Sequence, residues 1–348
     1  MKNNAKYAKI NENIIVSSII HHSDAFFKRA NMFKENFLKE NFAVGDRKAI
    51  KVTDVGSYSL DDTFLCGQCF RYEEINREND YVEYFTVVGE KIVFVGQEKK
   101  GELFFYDAGE NLFESVIRPY FDLDTDYEKI KIELTENFDT PFFKNAAELS
   151  SGIRILRQDP WEAICSFIIS QNNNIPRIRK IIRELSSAYG VNLALQSNLK
   201  TCPISKNGEK PSEEKCKACG RCYTFPTPEQ ILKDPTLMLP SKPGFRYKYI
   251  LDAAEKIASG KVNIDSIKQA NSYDTTVAEL SKILGVGLKV ASCAALFGFH
   301  NLDAFPIDVW MKRAINEYFD GELDHKKFGR YAGIAQQYIF HYARNLNK

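Results

Sequence analysis

Apolar positions along this chain recur at two different spacings, and the change from one to the other divides it. Between about Ile50 and Tyr106 they alternate. Val82, Tyr84, Thr86 and Val88 occupy every second position, Gly89-Glu90 turns the chain, and Ile92 and Phe94 resume. Period 2 broken by turn residues predicts an antiparallel sheet with hairpins. On both sides the spacing is helical. Upstream, Phe26, Phe27, Ala30 and Phe33 make one helix face that Phe37 continues, within an extension over residues 1–48 to which no function attaches. Downstream, Leu112, Phe113, Val116, Ile117 and Tyr120 open a helical and polar stretch that runs to about residue 150.

From residue 151 to 348 the pattern is helical throughout. Asp159-Pro160-Trp161-Glu162 reads as a capping box with proline at the first helical position, followed by a buried face of Trp161, Ile164, Cys165 and Ile168. Ser170-Gln171-Asn172-Asn173-Asn174 ends that helix, and Pro176 begins another with Ile178, Ile181, Ile182 and Leu185 inside. Thr227-Pro228-Glu229-Gln230 caps a short one. Near the end, Gln336 and Phe340 stand four apart and share a helix face. The expected architecture is α+β: an antiparallel sheet domain over 49–150, then an all-helical domain.

Composition narrows this picture only a little. With 348 residues, 44% of them hydrophobic, the chain can bury a sizeable core. A net charge of +1 gives no global attraction to nucleic acid, so any such site must be a local patch. No apolar run approaches the roughly 18 residues of a membrane span, and the scattered N-terminal charges do not form a signal peptide. The expectation is an intracellular protein acting as a monomer, cytoplasmic and nucleoid-associated if bacterial. Eight cysteines in such a setting argue against a disulfide framework. Four of them, Cys202, Cys216, Cys219 and Cys222, crowd into an insertion at about 200–223. Their spacing suits a structural zinc first, an iron–sulfur cluster second, and free thiols otherwise.

The chemistry centres on Tyr273–Trp310. Leu280, Ile283 and Leu284 give one helix face, Gly285-Val286-Gly287 breaks it, and Leu288, Ala291, Ala295 and Leu296 restart it. A glycine hairpin at a helix N-terminus presents backbone N–H groups that suit a phosphate. Lys289 lies just inside the second helix, where the helix dipole disfavours a cation. A free lysine is unprotonated in only roughly one molecule in a thousand at neutral pH, so making it a nucleophile costs about 4 kcal/mol, mostly to be supplied by burial. A solvated surface lysine is the ordinary alternative. Asp308 follows Pro306 and reads as a helix N-cap, which does not prevent its carboxylate from facing a cleft.

Leu284-Gly285-Val286-Gly287, a lysine two residues on and the Pro306–Trp310 run, with its aspartate nineteen residues after that lysine, resemble the helix-hairpin-helix DNA glycosylases. More narrowly, the chain resembles the 8-oxoguanine DNA glycosylases through Gly67-Gln68-Cys69-Phe70-Arg71-Tyr72 and the stretch from Leu156 to Ile178. The resemblance implies a TBP-like sheet domain before a helix-hairpin-helix domain. The partner is double-stranded DNA containing 8-oxoguanine, with no membrane involved. Lys289 is the implied Schiff-base nucleophile, and Asp308 stabilises the sugar cation. Gly67 reads the oxidised base through its carbonyl, while Cys293, Gln336 and Phe340 complete the base pocket. Asn172, Arg177 and Arg246 contact the orphaned cytosine, Phe245 is the wedge, and Gly285 and Gly287 hold a phosphate. No catalytic cofactor is implied. Trp310 departs from the histidine of many relatives, and the extension and cysteine insertion are extra. The rivals are a glycosylase for other damaged or mismatched purines and a non-catalytic DNA-binding module.

Overall fold

The computed structural model describes residues 37–44, 47–197, 199–205 and 208–346. Six strands form one antiparallel sheet: β1 (Leu38–Val44), β2 (Arg47–Thr53), β3 (Tyr72–Glu78), β4 (Tyr81–Val88), β5 (Lys91–Gln97) and β6 (Leu103–Tyr106). Their spatial order is β1-β2-β6-β5-β4-β3. The sheet begins earlier than the sequence pattern implies. The expected extension reaches residue 48, yet Leu38–Val44 pairs with β2 from Leu38↔Thr53 to Val44↔Arg47. Phe37 packs edge-on against Phe113 at 6.2 Å rather than continuing a helix. This edge strand shows no alternation of its own, and only pairing with β2 settles it. The expected helix face at Phe26, Phe27, Ala30 and Phe33 lies outside the described residues.

Both faces of β4 are buried, for two different reasons. Val82 and Tyr84 point into a core with Phe64, Phe105 and Phe121. Phe85 and Val87 point the other way and are covered by the cysteine-bearing insertion through Leu193, Ala194, Cys216, Cys222 and Tyr223. The insertion is therefore a second layer on the sheet. Between β2 and β3 lies α1 (Leu60–Leu65), and residues 110–120 are helical with a π turn at Phe113–Ile117.

Along the rest of the chain come α2 (Tyr127–Asn137), α3 (Pro141–Leu149), α4 (Pro160–Ser170), α5 (Ile175–Tyr189), α6 (Leu193–Gln196), α7 (Glu213–Cys219) and α8 (Pro228–Lys233). They are followed by α9 (Arg246–Ala258), α10 (Ile264–Ala270), α11 (Tyr273–Leu280), α12 (Leu288–Gly298), α13 (Val309–Tyr318) and α14 (Ala332–Leu346). Tyr127, Ile130, Leu134, Phe143, Ala146 and Ala147 of α2 and α3 share one core with Trp161, Ala295 and Tyr338. The same core takes Phe70, and Leu156 joins the sheet core, so the two halves interlock on both sides of residue 150. Amphipathic spacing defines the apolar face of α2 and α3 but not the neighbour it meets. At the centre α4 packs on α12 so closely that a Cβ on Gly298 would stand 2.8 Å from that of Ala163.

Two helix starts need comment. Asp159 accepts from the Glu162 N–H at 2.9 Å, but the Glu162 carboxylate pairs with Arg71 at 2.8 Å, so the expected box is only half made. The full reciprocal box occurs at Thr227 and Gln230. The first helix of the hairpin ends at Leu280, with Ile283 buried and Leu284 exposed in the turn.

Candidate active site

The hairpin between α11 and α12 depends on one glycine for its shape. Gly285 has φ +76, and a Cβ there would stand 2.4 Å from the Tyr249 ring, so a positive φ and a close approach both demand glycine. Gly287 is different: it is the N-cap of α12 at φ −90, with nothing within 4 Å of an added Cβ. Asp252 on α9 braces the turn from outside, accepting from the Leu284 N–H at 2.6 Å and pairing with Lys256 at 2.8 Å. Gly287 offers no side-chain cap, so the first N–H groups of α12 are left for another acceptor.

One turn of α12 carries Lys289 and Cys293 into a cavity of ≈ 480 Å³. Gly67, Cys66, Phe70, Asp308, Gln336 and Phe340 line the same cavity. The expected catalytic pair and the four expected base-contacting residues are thus together. Lys289 is half-buried, with Nζ 5.9 Å from the Phe167 ring centre. Phe167 in turn stacks on Phe297 at 5.4 Å. Asp308 caps α13, its Oδ1 accepting from the Met311 N–H at 2.8 Å, and it still faces the cavity. Burial pushes the Cys293 thiol up to about 11; nearby Lys289 pulls it down and Asp308 adds to the rise.

Gly67 follows the Cys66 C-cap of α1 with φ +89, and nothing crowds an added Cβ, so its requirement is conformational. Gln336 is buried at 4% exposure and accepts at Oε1 from Gln337 Nε2 at 2.7 Å. Phe340 lies one turn further along α14 at the rim.

A second cavity of ≈ 700 Å³ adjoins the first, and Ser170, Asn173, Lys289, Asp308 and Trp310 line both. Lys289 and Asp308 therefore stand on the ridge between two spaces. Asn172 faces the second cavity at φ +47, while Gly287 and Leu288 form its floor. Phe245 is 47% exposed, and the Arg246 guanidinium lies 4.4 Å from its ring centre. Arg246 itself is buried and donates to the carbonyls of Gln171, Asn172 (2.9 Å) and Pro243 (3.2 Å). Its place in this structure is behind the Asn172 turn, which it holds in shape. Burial, and then the like charge of Arg177, keep it below its ordinary pKa. Arg177 is exposed and reaches the Lys242 carbonyl at 3.4 Å.

The four cysteines of the insertion divide by exposure. Cys216 and Cys222 are buried against the sheet, while Cys202 and Cys219 are partly exposed. Among the described residues no group of three or more His, Cys, Asp or Glu side chains is arranged to hold a metal ion. The four thiols nevertheless lie near one another: burial raises the Cys222 pKa, and Cys219, Cys202 and Cys216 add to the rise. Lys215 and Arg221, basic residues beside it, are engaged by Glu209 and Glu73.

Comparison with known proteins separates the readings this geometry permits. Residues 51–164 match the N-terminal domain of 8-oxoguanine DNA glycosylase. The chain is 33% identical to the Clostridium acetobutylicum 8-oxoguanine glycosylase/lyase, solved with double-stranded DNA containing cytosine opposite 8-oxoguanine. That match covers 90% of this chain and 100% of the other, with a TM-score of 0.72. The chain belongs to the 8-oxoguanine DNA glycosylase family. Within that family it is 29% identical to an N-glycosylase/DNA lyase of Saccharomyces cerevisiae, covering 82% of this chain and 85% of the yeast protein. A 3-methyladenine DNA glycosylase of Archaeoglobus fulgidus, 18% identical at a TM-score of 0.55, shares the fold. Family membership makes this protein an N-glycosylase/DNA lyase of DNA repair. The sheet followed by helices is the family's fold. Among the described residues no helix is long and apolar enough to cross a membrane.

Some site residues escaped the sequence reading. Phe70 and Phe167 form the apolar floor of the base cavity, yet in sequence they are ordinary core aromatics. Asn173 lines both cavities, and Asn174 caps α5 by accepting from the Arg177 N–H at 3.0 Å. A run of three asparagines carries no signal that separates these roles.

Proposed function

We propose that the enzyme excises 8-oxoguanine paired with cytosine from duplex DNA and cuts the strand through a Schiff base on Lys289. The observation that carries this reading is the position of Lys289 and Asp308 on the ridge between an apolar-floored cavity and the Asn172 face. A base flipped into the first cavity leaves its sugar on that ridge and its partner facing Asn172, Arg177 and Phe245.

Lys289 Nζ, as the neutral amine, attacks the sugar C1′ while the bond to the base nitrogen breaks and the base leaves with the bonding pair. The Asp308 carboxylate stabilises the positive charge that grows on the sugar as that bond lengthens. Ring opening gives an imine between C1′ and Nζ. Loss of a C2′ proton then expels the 3′ phosphate by β-elimination, and water releases the lysine. Gly67 selects the lesion: its carbonyl accepts from an N7–H that guanine lacks, and the wrong base leaves that buried acceptor unpaired at about 1–3 kcal/mol. The α12 N-terminus at Gly285 and Gly287 anchors a phosphate.

Borohydride reduction in the presence of duplex DNA carrying 8-oxoguanine opposite cytosine tests the scheme. Wild type should yield a covalent adduct and Lys289→Gln none. An adduct with both proteins would move the nucleophile elsewhere. For the insertion, spacing alone supports a structural zinc, with an iron–sulfur cluster second. Elemental analysis finding about one zinc per chain would support it, and a metal-free folded protein would remove it.

A further inference from the structure

Gly67 does not hold its own orientation, because a glycine at φ +89 with open space around it is free to rotate. What surrounds it is a pair of buried amides. Gln68 has no exposed surface, and its side chain is fully engaged. Nε2 donates to the carbonyls of Thr63 at 2.9 Å and Arg154 at 2.7 Å and lies 3.3 Å from Cys66 Sγ. Oε1 accepts from the Leu156 N–H at 2.8 Å. These partners fix which way the amide faces, since carbonyls only accept and a backbone N–H only donates. Gln158 reaches the same backbone: its Nε2 donates to the Gln68 carbonyl at 2.7 Å. The Gln158 backbone N–H is shared between the Leu156 carbonyl at 3.1 Å and the Phe297 carbonyl at 3.3 Å, the latter on the helix that carries Lys289 and Cys293.

We infer that Gln68 and Gln158 form a two-amide clamp that aims the Gly67 carbonyl and sets its register against α12. Both are positioning residues, since neither is among the residues lining the base cavity. Gln68 ties α1 to the extended segment 154–156, and Gln158 ties the backbone just after Gly67 to the end of the catalytic helix. The base-reading loop and the nucleophile thus share one rigid link, although they come from opposite ends of the chain. Buried amides hydrogen-bonded to backbone rigidify the segments they join. A displacement near 1 Å at a base-reading group costs on the order of a hundredfold in rate. This inference rests on Gly67 reading the base.

The test uses an abasic site, which has no base to read but still needs the lysine. Gln158→Met keeps the length and removes the N–H donor. Single-turnover excision of 8-oxoguanine should fall about tenfold or more, while cleavage of a preformed abasic site opposite cytosine stays within about twofold of wild type. Gln158→Glu supplies a second variant and a pH readout. Its ionised form cannot donate to the Gln68 carbonyl but its protonated form can, so its deficit relative to wild type should shrink as pH falls. Parallel loss of excision and abasic cleavage, no loss of either, or a pH-independent Gln158→Glu deficit would each overturn the clamp. Gly67→Ala separates the two ideas. If it loses excision selectively while Gln158→Met does not, the clamp fails and the Gly67 reading stands. If Gly67→Ala excises 8-oxoguanine normally, the reading of Gly67 falls and takes the clamp with it.

Discussion

Lys289 and Asp308 come from one short stretch of chain, whereas the cavity they face is gathered from its two ends. Hairpin, Lys289 and Asp308 follow one another from α11 to α13, and local rules place them: one positive-φ glycine, one helix restart, one capping aspartate. The base cavity takes Gly67 from the loop after α1, Cys293 from α12, and Gln336 and Phe340 from α14. No local rule brings those together; the packing of α4 on α12 and of α14 on α3 does. A motif-built ridge should therefore fail at single atoms, and a packing-built cavity should fail by degrees.

The sharpest way to break this comparison is at Asp308, which serves both as cap and as charge. Asp308→Asn keeps an acceptor for the Met311 N–H and removes the charge. Base excision should fall about 10²–10³-fold with the melting temperature nearly unchanged. Asp308→Ala should add a loss of about 1 kcal/mol in stability, read by denaturant titration. If Asp308→Asn excises normally, the aspartate is only a cap, and the ridge has lost half its chemistry.

Gly285→Ala comes next. The alanine must adopt φ +76, costing about 1–2 kcal/mol, and its methyl meets the Tyr249 ring at 2.4 Å. The hairpin should distort, weakening binding to abasic-site DNA in a titration at fixed salt and lowering thermal stability by about 2–3 kcal/mol. Gly287→Ala, two residues away, has ordinary φ and open space and should cost well under half of that. Equal effects at the two glycines would contradict a hairpin that depends on one.

How far the sequence revealed each region follows the same division. The hairpin, Lys289, the Asp308 cap and the α4 start at Pro160 were readable because each is set within four or five residues. The sheet was readable between β3 and β6, where alternation is strong, and unreadable at β1, an edge strand whose identity comes from its partner. Arg246 shows the limit at the site. The family resemblance implies a cytosine contact for it, while its donors here go to the Gln171 and Asn172 carbonyls, a tertiary fact no spacing encodes. The cysteine insertion shows the same limit in its packing, since a CxxC spacing says nothing about the sheet that buries Cys216 and Cys222.

The last prediction concerns the joint between the two regions. Asp122, at the end of the sheet half and only 3% exposed, accepts from Arg157 Nε at 2.9 Å and the Tyr127 hydroxyl at 2.9 Å. His300 Nε2, just beyond α12, lies 3.4 Å away. Burial works against its ionisation, but His300, Arg157 and Tyr127 outweigh it and hold the carboxyl down at about 2. An unfolded aspartate titrates near 3.9, so about 2–3 kcal/mol of folding free energy is linked to this proton. The folded value lies below the unfolded one, so that stability is fully present above about pH 4 and is lost as pH falls through about 2. Asp122→Asn tolerates the positive φ of 51 but cannot carry the charge. It should be about 2–3 kcal/mol less stable than wild type at pH 7, with the gap closing between pH 4 and 2 in denaturant titrations. A gap that persists at pH 2 would mean the joint is held by shape rather than charge. Packing alone would then bind the sheet half of the enzyme to α12.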